Sequence, residues 1–535
     1  LVLDAHARRL IPYLADAVPG WFKAVMSVYD SSGNEVAYDD DYHFQIDPVI
    51  FFKPPADGEY KVTIRDSIYR GREDFVYRIA VGELPFVTRV WPMGGRIGTP
   101  QTVDLIGYNL PATRLALNTH SGTESLRQGW LGKGQLVLNP IRYAVDTLPE
   151  VDDAGANGTL DHAQPIALGT VVNGVINQPG EVHAYRFEAR AGTPVVLDVE
   201  ARRLGSLLDS VVRLFDAHGK LVGWNDDAPD PEQGVALSPV TGNQIILRYA
   251  DSYLLTKLPA DGSYFVTIAD VQHHGGPDYG YRLRVSLPQP DFALRVTPST
   301  LNCGPNQVVE VVAHVVRRDG FDGEVEVTLD DGPPGSTLIG GVVPAGRNEI
   351  RMTYCAPDKP VFGAQPLHFS GHSTIGTSYV TRPGQPAEDW EEAFLYRHIN
   401  PTQELLVNIH NRRRFTPPVL YGDYHRLSVP VGGTAQLVVR TGPKFNLQGL
   451  HFELSDPPKG VTLEETKIVA GGLGLIFKAD AKAKAGFSDN LIVEVFNDPV
   501  QGDGKRRAAR YSLGIMPAVP IQLVAPGTPA TPAKK

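Results

Sequence analysis

The chain has 535 residues, with 54 glycines, 44 prolines, 42% hydrophobic and 21% charged residues; at roughly 100 to 200 residues per domain this is material for several turn-rich domains, each able to bury a core. A formal net charge of -10 at pH 7 argues against a nucleic-acid partner, whose phosphates demand a basic face, and suits a divalent cation or a secreted surface. No run approaches the roughly 18 apolar residues that a membrane helix needs, so no membrane span is expected.

Residues 1–84 begin with LVLDAHARRL (1–10) and SVYDSSGNEVAYDDD (27–41) and close with PADGEYKVTIRD (55–66) and Tyr77-Arg78. Alternation at 61–65 and 75–81 predicts strands, and Asp57-Gly58 predicts a tight turn ahead of the first. Residues 11–26, IPYLADAVPGWFKAVM, read as a short helix or a loop flap whose Tyr13, Trp21 and Phe22 either pack inside or bind. Residues 85–146 form a smaller unit with Gly-Gly and Gly-Thr-Pro turns between alternating strands and the sequence Gly107-Tyr108-Asn109-Leu110.

Residues 147–288 repeat the first segment at long period. VVLDVEARRLGSLLDSVVRLFDAHGKLVGWNDD (195–227) answers the opening, and PADGSYFVTIAD (259–270) with Tyr281-Arg282 answers the close. This copy is complete, with an acidic opening, TLPEVDDAGAN (147–157), and strands at 169–175 and 183–188 that have no counterpart before Leu1. The chain is therefore expected to be a fragment, and its lack of a leader carries no weight. Arg8-Arg9 and Arg202-Arg203 hold equal places in the repeat; neighbours on a strand face opposite ways, so one of each pair is expected to meet an aspartate in a structural salt bridge. Asp39-Asp40-Asp41 and Asn225-Asp226-Asp227 invite a metal reading, against which stands the commoner role of such residues in capping turn amides.

Residues 289–411 supply another run of short strands between Asp-Gly and Pro-Gly turns. Cys303 and Cys355 fall at strand ends in this unit; they are either two reduced thiols or a disulfide closing about 50 residues, contributing roughly 4 kcal/mol. Residues 386–397, PAEDWEEAFLYR, predict a helix from early acidic residues and from Trp390 and Phe394 at i, i+4. A strand at 404–409, a basic knot at 412–414, a last β unit over 412–518 and a flexible tail over 519–535 complete the chain. The expected fold class is all-β, a multidomain chain of jelly-roll-like and immunoglobulin-like β-sandwiches.

Residues 85–146 resemble the TIG/IPT immunoglobulin-like module. The repeat resembles the bacterial pre-peptidase C-terminal (PPC) domain, a jelly-roll-like sandwich related to the collagen-binding modules of secreted clostridial collagenases. The matching pieces are GEVHAYRF (180–187), residues 201–204, 214–219, Asn225-Asp226-Asp227, 260–264 and Tyr281-Arg282. The resemblance implies a secreted, periplasmic or cell-surface bacterial protein, and in some members a calcium site built from the acidic opening and an Asp-Val-Asp element. Carried over, that site is Glu150, Asp152, Asp153, Asn157 and Glu181. The element here reads Glu181-Val182-His183, and an imidazole is a poor ligand in a site that prefers six to eight oxygens. The alternative is a solvated acidic linker with Glu181 on a turn.

Local enzyme signatures are missing: the sequence has no His-Glu-x-x-His helix, Gly-x-Ser-x-Gly elbow, phosphate-cradling loop or Cys-x-x-Cys-His site. His273-His274 and His372-Ser373 are the remaining candidates for metal or scattered catalytic chemistry, against a solvated-loop reading. A noncatalytic protein is expected, binding an extracellular protein matrix, polysaccharide or cell envelope. The alternatives are a structural subunit of an envelope assembly and an accessory region of a secreted peptidase or other hydrolase.

Overall fold

The computed structural model describes residues 1–10, 22–44, 46–122, 125–131, 139–229, 235–237, 244–246, 248–392, 396–411, 426–441, 447–470, 472–497 and 510–528. The chain is all-β and multidomain: among these residues every element is a strand or a single 3-10 turn, and no helix is long and apolar enough to cross a membrane. Contacts divide it into two compact units, Leu1–Gln289 with Trp390–His398, and Pro290–Asp389 with Ile399–Lys535.

The first unit opens with β1 (Val2–His6), β2 (Ala24–Tyr29), β3 (Glu35–Asp39), β4 (Val49–Phe51), β5 (Lys61–Asp66) and β6 (Arg78–Gly82). They form two sheets, ordered β4-β1-β6 and β3-β2-β5. Alternate residues point to opposite faces, so Leu3, Ala5, Met26, Val28 and Ile50 meet between the sheets as the core. Phe22, from the aromatic insertion, is buried and stacks on Phe75 with ring centroids 5.7 Å apart, which is packing; Tyr13 and Trp21 lie outside the described residues.

Next come β7 (Phe86–Trp91), β8 (Gly94–Arg96), β9 (Thr102–Tyr108), β10 (Arg114–Ala116), β11 (Leu126–Gly129) and β12 (Ile141–Asp146). Two three-stranded sheets, β10-β9-β7 and β11-β12-β8, enclose Val87, Val103, Leu105, Ile141, Tyr143 and Val145.

The remaining strands of the unit are β13 (Glu150–Asp152), β14 (Gln164–Pro165), β15 (Thr170–Val175), β16 (Val182–Ala189), β17 (Pro194–Glu200), β18 (Ser210–Phe215), β19 (Leu221–Asn225), β20 (Ala228–Pro229), β21 (Val235–Leu237), β22 (Gln244–Ile246), β23 (Arg248–Tyr249), β24 (Tyr253–Lys257), β25 (Gly262–Asp270) and β26 (Gly280–Ser286). The main sheets run β13-β15-β26-β17-β24 and β14-β16-β25-β18-β19. Set β17, β18, β19, β24, β25 and β26 beside β1 to β6, and the strand orders coincide. Even the bulge recurs, at Val28/Tyr29 in one copy and Leu214/Phe215 in the other. The connections differ: residues 11–23 link the first turn to β2 where 206–209 suffice before β18, while 226–252 join β19 to β24 where 40–48 join β3 to β4.

In the second unit, one sheet carries Thr337–Ile339, Glu349–Cys355, Val308–Arg318, Asp291–Thr297, Ser378–Glu392, His368–Ile375 and Val325–Asp331 in that order. It shares a core with the sheet of Thr300–Cys303, Leu406–Ile409 and Ala364–Pro366. Over its described residues the stretch expected to be a helix is strand instead. Pro386 pairs with Val296 in a parallel ladder, Ala387 is fully buried, and the Glu388 carboxylate accepts the Ser299 backbone N–H at 3.1 Å. Strand pairing has overridden a local helical pattern; Phe394 lies outside the described residues. A further sandwich joins the sheet of Leu427–Pro430, Val519–Val524, Ser488–Asn497 and Leu450–Ser455 to that of Thr434–Val439, Gly472–Ala479 and Val461–Val469. Val519–Val524, expected in the tail, is thus a strand with Ile521 fully buried, because its alternation completes a sheet. The basic knot at 412–414 lies outside the described residues.

Candidate functional site

The acidic opening of the second sandwich crosses its upper edge. Val171 and Asp153 donate backbone bonds to Pro149 and Asn173, so β13 lies parallel to β15 and the following residues turn inward. Asp153 is the hub. Its Oδ2 accepts the Gly155 N–H at 3.0 Å, and its Oδ1 accepts the Asn157 side-chain amide at 2.8 Å and the Tyr185 hydroxyl at 2.6 Å. Gly155 sits at φ 71, a left-handed turn for which glycine is suited. The Tyr185 and Tyr281 hydroxyls are bonded to each other, and Tyr281 also meets His183 Nδ1 at 2.7 Å. Burial, reinforced by the Asp153 carboxylate, lifts both phenols above their ordinary range, so they stay protonated and serve as hydrogen-bonding struts.

Glu181 closes the other side. Its Oε2 accepts the backbone N–H groups of Asn177 and Gln178, and its Oε1 lies 3.2 Å from His183 Nε2. That contact is close enough for an ion pair but misses hydrogen-bond alignment. The imidazole therefore stands between the Asp153 and Glu181 carboxylates, its Nδ1 also 3.4 Å from Asp153. The five residues carried over for calcium do not make one cage. Glu150 turns away to Arg282, 2.8 Å from Nη2, and takes Asn173 Nδ2 at 3.0 Å. Asp152 is exposed on its strand. Asp153, Asn157 and Glu181 do gather, but both Asp153 oxygens and Glu181 Oε2 already accept protein donors and an imidazole separates the acids. That donor set fits a hydrogen-bonded lock, not the oxygen shell of calcium. Among the described residues no group of three or more His, Cys, Asp or Glu side chains is arranged to hold a metal.

A second polar centre occurs twice. In the second sandwich the Asp251 carboxylate accepts the backbone N–H groups of Ala201, Arg202 and Arg203 at 3.2, 2.6 and 3.1 Å, and Arg203 Nε at 2.8 Å. Arg203 continues to Asp198 Oδ1 and the Val199 carbonyl. In the first, Asp47 accepts from Ala7, Arg8 and Arg9 backbone and from Arg9 Nε, and Arg9 continues to Asp4 and the Ala5 carbonyl. Arg9 and Arg203 are thus the salt-bridging members of their pairs, although both pairs lie in 3-10 turns and not on strands as expected. Although burial opposes ionisation of Asp198, the Arg203 and Arg284 charges outweigh it and hold its carboxyl below the ordinary range. The missed participant is Arg282, only 1% exposed, which ties Glu150 and Asn173 to β26 and lies 3.6 Å from Glu200; recurrence of Tyr-Arg in the repeat was the available signal.

The acidic clusters act as turn chemistry. Asp39 Oδ2 accepts Val49 N–H at 2.7 Å, its counterpart Asn225 Oδ1 accepts Tyr253 N–H at 2.8 Å, and Asp41 pairs with Lys23. His273 has φ 58 and its carbonyl accepts the Gly180 N–H, while His274 lies 3.9 Å from Asp270. His372 bonds the Thr328 and Thr381 hydroxyls at 3.0 Å each and stacks on Tyr379; Ser373 donates to the Glu324 carbonyl. Cys303 and Cys355 are buried thiols in the structure and no S–S bond joins them; burial pushes the Cys303 thiol up to about 11. A recess lined by Trp91, Met93, Leu204, Ser206 and Asp278 has a volume of ≈ 30 Å³, room for a water or two.

No family model matches the chain. Over 132 residues, 24% of this chain, it is 34% identical to a probable subtilase-type serine protease of Deinococcus radiodurans, of which the match spans 15%. Among solved structures, domains 1–6 of the surface layer protein SbsC align with 91% of this chain and 62% of that one, at 10% identity and a TM-score of 0.17.

Proposed function

We propose that the chain is a noncatalytic protein of the bacterial exterior whose tandem PPC-type sandwiches hold extracellular material, a protein matrix, polysaccharide or cell envelope. The observation that carries this reading is the recurrence of one strand order with one Arg-Asp corner. The charged residues repeated between copies are spent on the scaffold, which leaves exposed loops and sheet faces to meet a partner. The histidines that sequence marked out for chemistry bond threonine hydroxyls or sit in turns.

A second reading is an accessory region of a secreted peptidase. It is favoured by the 132-residue likeness to a probable subtilase-type serine protease, a length suited to one sandwich domain. Retention of the purified chain on insoluble collagen, chitin and peptidoglycan tests the first reading, with a peptidase assay on casein run beside it. Binding to one matrix without cleavage is the expected result. Retention on none of the three sinks the binding reading, and casein cleavage sinks the noncatalytic one.

A further inference from the structure

In the second sandwich the sheet β14-β16-β25-β18-β19 turns Phe187, Val266 and Leu214 into the core, so the residues between them look outward. Two rows result. Arg186, Phe265, Phe215 and Leu221 lie side by side across β16, β25, β18 and β19, and the next row sets Thr267, Arg213 and Trp224 together. With neighbouring strands about 4.8 Å apart, the first row is about 14 Å long. Trp224 is 54% and Leu221 44% exposed, Arg186 and Arg213 are exposed, and Phe215 and Phe265 are half-buried. Apolar residues grouped on one open face mark a contact site where scattered ones do not.

The charges on this face are unspent. Arg203, Arg282 and Arg284 of the same sandwich all meet carboxylates, whereas neither the Arg186 nor the Arg213 guanidinium has an ion-pair or hydrogen-bond partner among the described residues. The acids at the ends of the face are engaged elsewhere, Glu188 with the Ser263 hydroxyl and Asp226 with the Asp227 N–H. In a chain of net charge -10 this is a cationic strip flanked by rings. At the equal places of Arg213, Phe265 and Leu221 the first sandwich has Ser27, Lys61 and Glu35, so its face is not the same surface. A ring lying flat takes the apolar face of another ring, and an unpaired guanidinium takes a carboxylate through two parallel hydrogen bonds. Strands β25 and β18 are paired on both edges, so the face offers an extended peptide no backbone groups, and Phe215 and Phe265 are too sunken to enter a bilayer. Resting on the binding reading above, we propose that this face holds an acidic polysaccharide. The sugar faces of a linear uronic-acid chain stack on Trp224, Phe215 and Phe265, and its carboxylates meet Arg186 and Arg213.

The probe is a purified galacturonate oligomer, titrated by calorimetry into the full chain, with a neutral glucan oligomer of equal length beside it. Saturable binding of the acidic oligomer is expected, weakened by added salt and weaker by roughly tenfold or more for the neutral one. Trp224→Ala and Arg213→Glu should each cost about tenfold or more, as truncating an aromatic or arginine anchor does. Both side chains are exposed, so these variants should melt like the parent. Tyr38→Ala, which removes an exposed ring from the first sandwich, should leave binding unchanged. The proposal is overturned if the acidic oligomer does not bind, if the neutral one binds equally, if Trp224→Ala and Arg213→Glu bind as the parent does, or if Tyr38→Ala weakens binding as Trp224→Ala does. Binding to phosphatidylglycerol vesicles that the same two variants abolish, without oligomer binding, overturns it in favour of a membrane surface. Retention on collagen, chitin or peptidoglycan without oligomer binding overturns this assignment and leaves the binding reading standing.

Discussion

Replacing Asp251 by alanine removes the acceptor of three backbone N–H groups and one guanidinium N–H, at 2.6 to 3.2 Å. Each buried donor left unsatisfied costs about 1 to 3 kcal/mol, but the four are not additive because water enters the hole they share. Arg203 is 30% exposed and keeps Asp198, so its charge is not stranded, and the loss belongs near the lower end of the roughly 3 to 5 kcal/mol for breaking a buried pair. About 3 to 4 kcal/mol corresponds to a fall of roughly 6 to 16 °C in a sandwich of this size. Differential scanning calorimetry of the full chain should show one transition moving. Asp47→Ala, removing the same acceptor from the first sandwich, should move a different transition. If both variants melt within about 2 °C of the parent, the corner does not lock the sandwiches, and the scaffold role assigned to the repeated charges is refuted.

Chelator and excess calcium should leave the melting profile unchanged, since an ion bound to the native state must raise its stability and both Asp153 oxygens and Glu181 Oε2 are already occupied by protein donors; an upward shift with calcium refutes the lock. The Arg70 side chain, aided by backbone N–H groups, holds the Asp66 carboxyl at about 2 against an ordinary 3.8. A depressed carboxylate contributes stability that is complete above 3.8 and lost as pH falls toward 2, so Asp66→Asn should flatten the fall of the urea midpoint across that range. Native protein should resist thiol reagents at mildly alkaline pH because burial raises the Cys303 thiol to about 11, and denaturation without reductant should release two reactive thiols; release of none establishes a disulfide.

Duplication was legible because its two copies retain whole phrases, PADGEYKVTIRD and PADGSYFVTIAD, and shared phrases impose shared strand order. The corner was half legible. Twin arginines at equal places announced a salt bridge, but Asp47 and Asp251 lie far along the chain in unremarkable loops, and only the fold brings them to the turn. Residues 386–397 misled for a physical reason. Acidic residues followed by spaced aromatics satisfy the dipole and periodicity of a helix, yet Pro386 lies on a ladder with Val296, and a partner strand remote in sequence leaves no local mark. The calcium set failed similarly. Closeness in sequence put Glu150, Asp152 and Asp153 together, whereas in the fold Glu150 is drawn to Arg282 and Asn173, Asp152 stays exposed and Asp153 turns in to Asn157 and Tyr185.

Two sandwiches with one strand order on a single polypeptide face a hazard during folding, because β1, between β4 and β6, and β17, between β24 and β26, are suited to the same place. Unlike connections work against the exchange. The longer link comes before β2 in one copy and before β24 in the other, so a strand that strays into the wrong sandwich arrives with slack on one side and tension on the other. The interposed β7 to β12 unit adds distance between the rivals, and misassembly of neighbouring like domains is disfavoured by differences that leave the finished frames alike.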